Sequence, residues 1–248
     1  MINIKELYKS FDENEVIRGV SLEIRKGEIL ALIGKSGIGK SVLLKHIAGL
    51  IRPDSGRVLV NGKDIERLKS SDLMQYRRRL GFLFQGGALF DSMTVYDNVA
   101  FPLREKTRMN EREIREKVMD EIGQVGLSGA EDRYPSQISG GMKKRAALAR
   151  ELVWEPEIML FDEPTTGLDP IISNAIMKLI NDLHKRLYFT GIVITHEIPQ
   201  VFEIANRVAM LHDGVIKAEG TPDEILSSQD PAVKQFINGE AEGPISYH

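Results

Sequence analysis

Alternation opens the chain. "INIKELYK" and "VSLEIRKGE" step between apolar and polar positions with a period of two, the pattern of half-buried strands, and "RKGE" turns between segments. "ILALIG" differs: a short unbroken apolar run ends in glycine, and "KSVLLKHIAGL" comes next with apolar residues at helical spacing. That order predicts a buried strand, a glycine loop and a helix start. "GRVLVNGKDI" predicts another strand with a tight Asn-Gly turn, and "LGFLFQ" at 80–85 a further one. From about 90 to 155 the period becomes helical. Ile114, Val118, Ile122 and Val125 share one stripe, Asn110 stands as N-cap, and Glu113 closes a capping box. An Ala-rich helix is expected after "ISGG" as far as Trp154.

Strand and helix then alternate: "EIMLFDE", "IISNAIMKLINDLHKRL", "GIVITHE", and a hairpin in "RVAMLHDGVIKAEG" turning at Asp213-Gly214. Thr221 caps a short helix with Pro222 at its first position and Glu224 closing the box. "FINGEAEGPISYH" predicts an extended tail. The sum is an α/β chain, a mostly parallel core carrying a helical insert.

Composition narrows the function classes. With 248 residues, 42% of them hydrophobic, the chain can form one large domain or a core with a subdomain. A net charge of -3 argues against a dedicated binder of nucleic acid or anionic lipid. No cysteine is present, so disulfides and thiolate metal sites are excluded, which fits a reducing compartment. The N-terminus lacks the apolar core of a signal peptide, and no apolar run approaches the ~20 residues that span a bilayer. Work at a membrane would run through a partner.

"GKSGIGKS", residues 34–41, matches the phosphate-loop pattern G-x-x-x-x-G-K-[ST] in full. Gly34 and Gly39 permit the backbone angles that let successive N–H groups curl around phosphate oxygens. Lys40 reaches the β- and γ-phosphates of a nucleotide in such a loop, and the Ser41 hydroxyl ligates Mg²⁺. "IMLFDE" places Asp162 at the exposed end of a buried strand, where it can hold the metal through water. Glu163 comes directly after and can orient an attacking water. A second anion-facing turn is "ISGGMKKRAALAR", a serine and two glycines opening a helix at 138–150. Lys143, Lys144 and Arg145 read mostly as a solvated face of that helix.

With "FQGGALF" and "VITHE" added, these motifs fall in the order found in the ATP-binding subunit of ABC transporters, and the resemblance runs from residue 1 to about 240. It implies a P-loop NTPase fold: a RecA-like, mostly parallel sheet with an N-terminal antiparallel β subdomain (1–88 and 157–220), a helical signature subdomain (89–156), and C-terminal helices and tail (221–248). It implies ATP and Mg²⁺ as cofactors and a head-to-tail dimer. The phosphate loop with Val42 (Gly34, Lys35, Ser36, Gly37, Ile38, Gly39, Lys40, Ser41) binds ATP in one copy. Ser139, Gly140, Gly141, Met142 and Asp169 of the other copy contact it in trans.

By the same resemblance Gln85, read as ending its strand, senses the metal and the water and links the site to the helical insert, and His196 contacts the γ-phosphate. Phe11 stacks on adenine, with Tyr8 as the competing candidate. Met142 departs from the glutamine common at its position and points to a subfamily. "FQGGALFDSMTVYDNVAFPLRE" and "FINGEAEGP" look like the ATPase of Mla-type lipid-transport systems, implying a membrane permease, a lipid-binding partner of the mammalian-cell-entry type, and residence at the cytoplasmic face of the inner membrane. Ala88, Leu89, Phe90 and Met93 either line a groove for the permease or pack inside the helical subdomain. A C-terminal extension that wraps the opposite copy is not expected.

Other readings remain: an ABC ATPase serving a different small molecule, a P-loop kinase, a non-transport ATPase acting on nucleic acid, or a nucleotide sensor without turnover. A kinase has no use for "ISGGM", and the chain lacks the coiled coils or basic arms of the nucleic-acid enzymes.

Overall fold

The computed structural model describes residues 1–246. In chain order the elements are β1 (Ile2–Phe11), β2 (Asn14–Ile24), β3 (Ile29–Ile33), α1 (Lys40–Ile47), β4 (Ser55–Val60), β5 (Lys63–Asp64), α2 (Ser70–Arg77) and β6 (Leu80–Leu83). Next come α3 (Val95–Lys106), α4 (Glu111–Gln124), α5 (Gly140–Leu152), β7 (Ile158–Asp162), α6 (Pro170–Leu187) and β8 (Thr190–Ile194). The chain continues through α7 (Ile198–Phe202), β9 (Arg207–His212), β10 (Val215–Gly220), α8 (Pro222–Leu226) and α9 (Pro231–Asn238). These elements gather into two compact units, one of Met1–Arg77 together with the residues from Thr190 onward, the other of Arg78–Phe189.

In the first unit β2, β1, β4 and β5 form an antiparallel sheet in that order. The expected Asn-Gly turn is there: Asn61 and Gly62 take φ of 49° and 77°, so β4 reverses into β5 through a left-handed pair. β3 lies between β8 and β9 and is parallel to both. All five residues of β3 and all five of β8 are buried, which is why β3 reads as an unbroken apolar run and β8 as one over Ile192, Val193 and Ile194. β9 turns into β10 at Asp213 and Gly214, with φ of 47° and 76°. Thr221 and Glu224 complete the predicted capping box of α8.

The second unit pairs β6 with β7 in parallel and packs helices around them. Ile114, Val118 and Ile122 of α4, and Val125 beyond it, are buried as the stripe required, and the box at Asn110 and Glu113 closes. Phe161 and Phe189 meet with ring centroids 6.0 Å apart.

Three expectations need correction. β6 stops at Leu83, so Gln85 does not end the strand; it sits in a turn closed by Gly87 N–H donating to the Phe84 carbonyl. Gly87, at φ 73°, takes up that early turn without strain. α5 ends at Leu152 rather than Trp154. The extended tail begins later than predicted, because α9 takes in Phe236–Asn238, with Asp230 capping its start and Gly239 in the left-handed conformation ending it.

Beyond α9 the chain is anchored to the core. Ile245 is buried, its N–H and carbonyl both bonded by the Gln235 amide, and Lys35 Nζ donates to the Ser246 carbonyl at 2.7 Å. The tail expectation for Tyr247 and His248 lies outside the described residues.

Candidate functional site

The phosphate loop leaves the buried β3 and opens α1. At Gly34, φ 146°, an added Cβ would lie 2.3 Å from the Leu211 carbonyl oxygen of β9, so only glycine lets the loop begin there. Gly39, at φ 107°, is confined in the same way: a Cβ would fall 2.7 Å from Val16 Cγ1. Gly39 brings no side chain to cap α1, and the first turn carries no acid. The positive end of the helix is thereby left to an external anion. Lys40 is 5% exposed, and its ammonium donates to the carbonyls of Gly34 at 2.7 Å and Lys35 at 2.8 Å. The cation is held by carbonyls of its own loop.

Beside the loop lies a cleft of about 180 Å³ lined by Val16, Arg18, Gly37, Ile38 and Gly214, among others. Phe11 and Tyr8 are similarly exposed, at 45% and 42%, so exposure does not choose between them. Packing separates them: the Tyr8 ring lies across Gly19 of β2, where a Cβ would come within 2.7 Å of its hydroxyl, while Phe11 stands at the end of β1. His196 is exposed, two residues past the end of β8. Lys35, Ser36, Ser41 and Val42 are exposed or half-buried around the loop.

The second unit brings together the other candidates. Asp162 ends β7 after four buried residues. Glu163 comes next with φ 50°, an uncommon conformation for a residue with a side chain, and its carboxylate accepts from the Thr166 hydroxyl at 2.6 Å. Ser139 is the exposed N-cap of α5, its Oγ accepting from Met142 N–H at 3.3 Å. Asp169 caps α6 through the N–H groups of Ile171 and Ile172. The two helix starts touch: a Cβ on Gly141 would lie 2.7 Å from Ile172 Cγ2, and one on Gly140 3.4 Å from Leu168 Cδ2. Gly141 is therefore required by close approach, whereas a methyl on Gly140 would make only an ordinary contact.

The reading of Lys143, Lys144 and Arg145 as a solvated face holds only for Lys143. Lys144 is 7% exposed and its ammonium donates to the Gln85 carbonyl; Arg145 donates to the Val125 carbonyl at 3.1 Å. Burial pushes the Lys144 ammonium below its ordinary pKa, against the pull of the Glu163 carboxylate. Sequence reasoning missed Lys144 and Thr166. Thr166 was within reach, since a hydroxyl three residues after an acid is a local pattern; no local signal marks Lys144.

Of the apolar cluster, Ala88 and Phe90 line a groove of about 250 Å³ with Phe101, Pro102, Lys106 and Arg150, while Leu89 and Met93 are half-buried. Phe90 and Phe101 meet at 4.9 Å between centroids, and Lys106 Nζ stands 3.4 Å from the centre of the Trp154 ring. Burial at the groove wall lowers the pKa of Lys106.

Residues 17–166 match the family model described as ABC transporter. The chain is 43% identical over 247 residues to the intermembrane phospholipid transport system ATP-binding protein MlaF of Haemophilus influenzae, covering 100% of this chain and 94% of that protein. It is 44% identical over 244 residues to the probable ribonucleotide transport ATP-binding protein mkl of Mycobacterium leprae, covering 98% and 70%. A dimeric ATP-binding cassette, solved in a post-hydrolysis state with ADP and Pi, superposes with a TM-score of 0.81 at 32% identity, covering 90% of this chain and 99% of that one. A glycine-built phosphate loop, an acid-ended strand and a Ser-Gly-Gly helix start agree with these matches: the chain belongs to the ABC transporter family.

Proposed function

We propose that the chain is the ATP-binding and ATP-hydrolysing subunit of an ABC transporter that moves phospholipid through a separate membrane permease. The observation that carries this is the 43% identity along the whole chain to a protein named for intermembrane phospholipid transport. Two copies work head to tail, a reading supported by the dimeric state of a cassette of similar fold. The nucleotide lies on Gly34–Ser41 and Val42 of one copy, adenine against Phe11. Ser139, Gly140, Gly141 and Met142 of the other close on the γ-phosphate, beside Asp169. ATP therefore favours the closed pair and ADP does not, and only such a difference can drive a switch.

Lys40, already oriented by its own loop carbonyls, meets the β- and γ-phosphates. Glu163 aligns the attacking water, Gln85 and His196 contact the reacting end, and Thr166 steadies Glu163. Among the described residues no three His, Cys, Asp or Glu form a metal cage of their own. The donors assigned here, the Ser41 hydroxyl, the Gln85 amide and the Asp162 carboxylate, are all hard oxygens, which suit Mg²⁺ completed by phosphate and water. When bound, Mg²⁺ neutralises charge on the phosphates.

The functional division we infer follows the resemblance and not the bounds of the two compact units: a nucleotide-binding core at 1–88 and 157–220, a helical signature subdomain at 89–156 whose groove receives the permease, and C-terminal elements from 221. Among the described residues no helix is long and apolar enough to cross a membrane, and passage belongs to the permease. The subunit then sits at the cytoplasmic face of the inner membrane, in a complex that includes a lipid-binding partner of the mammalian-cell-entry type. The mycobacterial relative's name offers a second cargo, a ribonucleotide. Purifying the intact complex from its native membrane tests both. Co-purified permease with phospholipid, and ATPase activity that phospholipid stimulates, are expected. Stimulation by ribonucleotide alone would overturn the lipid assignment.

A further inference from the structure

The segment 85–94 comes after β6 and has almost no secondary structure of its own, yet several of its main-chain carbonyls are held by buried side chains. Lys144 holds that of Gln85. Arg150, 8% exposed, donates to those of Gly87 at 3.0 Å and Ala88 at 2.6 Å. Asn98, fully buried, donates to those of Phe90, Met93 and Thr94 and accepts from Phe90 N–H. Gly87 is pressed against α5, since a Cβ there would come within 3.3 Å of Ala147 Cβ. Two of these three anchors, Lys144 and Arg150, belong to α5, the helix whose N-cap is Ser139.

We propose that Lys144 is a positioning residue for ATP hydrolysis: its buried ammonium ties the Gln85 main chain to the signature helix, so that the Gln85 side chain and the Ser-Gly-Gly turn are carried by one body. This rests on the assignment of Gln85 to the reacting end of the nucleotide. A charged donor on a carbonyl is a strong tether, and a buried carbonyl deprived of it must find another partner, which moves the loop. Arg150 holds the two residues next to the permease groove, so it secures the far side of the same loop; Lys144 alone acts at Gln85 itself. The function of the tether is registry. When a second copy's phosphate draws in Ser139, Gln85 travels with it.

The test measures steady-state ATP hydrolysis by the full chain in complex with its permease for Lys144→Met, Lys144→Gln, Lys144→Arg, Gln85→Ala and the double variant Gln85→Ala/Lys144→Met. Lys144→Met is expected to lower kcat between about ten- and a hundredfold, the scale set by misplacing a reacting group, with KM for ATP within about twofold. Lys144→Gln, too short to reach the carbonyl but polar enough to fold if Met is not tolerated, should do the same, and Lys144→Arg should restore most of the rate. The double variant should be no slower than its slower parent, because one loss already contains the other. Unchanged kcat in a folded Lys144→Met or Lys144→Gln protein, or losses that multiply in the double variant, would overturn the tether while leaving Gln85 in place. A harmless Gln85→Ala would remove the Gln85 assignment and the tether together. Hydrogen exchange supplies a readout apart from activity: faster exchange in Lys144→Met should begin at 85–88 and spare α4.

Discussion

Thr166 grips Glu163: its hydroxyl donates to the carboxylate at 2.6 Å, from within the turn that holds Glu163 at φ 50°. A carboxylate on a left-handed backbone is aimed by the main chain, and the hydroxyl then fixes its rotation. Thr166→Val keeps the shape and removes the donor. We expect kcat to fall roughly tenfold, the scale of a hydrogen bond to a charged group, with KM for ATP unchanged. An unaltered kcat would show that the backbone alone positions Glu163.

Glu163→Gln removes the proposed base and keeps the volume. Turnover should drop by at least about a hundredfold while ATP binding persists, and the ATP-bound protein should accumulate as a dimer in gel filtration. Normal turnover in this variant would remove Glu163 as the group that activates water.

Ser139→Arg should abolish hydrolysis without weakening ATP binding to the monomer, if Ser139 serves the nucleotide of the other copy as proposed. Mixed with Lys40→Ala protein, it should regain activity, since a heterodimer contains one site with both an intact phosphate loop and an intact Ser-Gly-Gly turn. If no ratio of the two restores turnover, action in trans is excluded.

Gly141→Ala introduces a methyl 2.7 Å from Ile172 Cγ2, a branched side chain with little room to rotate away. The overpacking should cost about 1–3 kcal/mol, visible as a lower melting temperature. Ile172→Ala in the same protein should recover most of it. Failure of that rescue would mean that the glycine serves backbone conformation and not the approach of α5 to α6.

His46 sets an acid limit. It is fully buried on α1, its Nδ1 2.9 Å from the Val42 carbonyl, and burial above all pushes its pKa below the ordinary 6.5, with Lys9 acting in the same direction and the Val42 carbonyl and Asp54 opposing. Well above 6.5 the ring is neutral whether folded or not and contributes no pH dependence. Below it the unfolded chain takes up a proton that the folded one resists, so stability falls with pH by at most about 1.4 kcal/mol per unit from this group. Urea unfolding at about pH 7.5 and about pH 5.5 should show a smaller loss for His46→Gln than for the parent. Equal losses would clear His46 of the effect.

Most of the core architecture was legible because it rests on local rules. Unbroken runs such as Ile29–Ile33 and Ile158–Phe161 announce strands covered on both faces, and the boxes at Asn110 and Thr221 announce helix starts. The phosphate loop was legible because its chemistry needs neighbours in sequence. The features that escaped depend on distant partners. Lys144 looks like any surface lysine until Gln85, 59 residues earlier, arrives beside it. Ile245 looks like a stray apolar residue in a polar tail until Gln235 brackets it. Gln85 looks like the last residue of β6 because apolar continuity through Phe84 conceals where the ladder ends.

The tie between Lys35 and the Ser246 carbonyl has a practical side. A purification handle or fluorescent label fused just downstream of Ser246 would hang from the phosphate loop itself, and assays on such a fusion would measure the handle's drag as well as the enzyme.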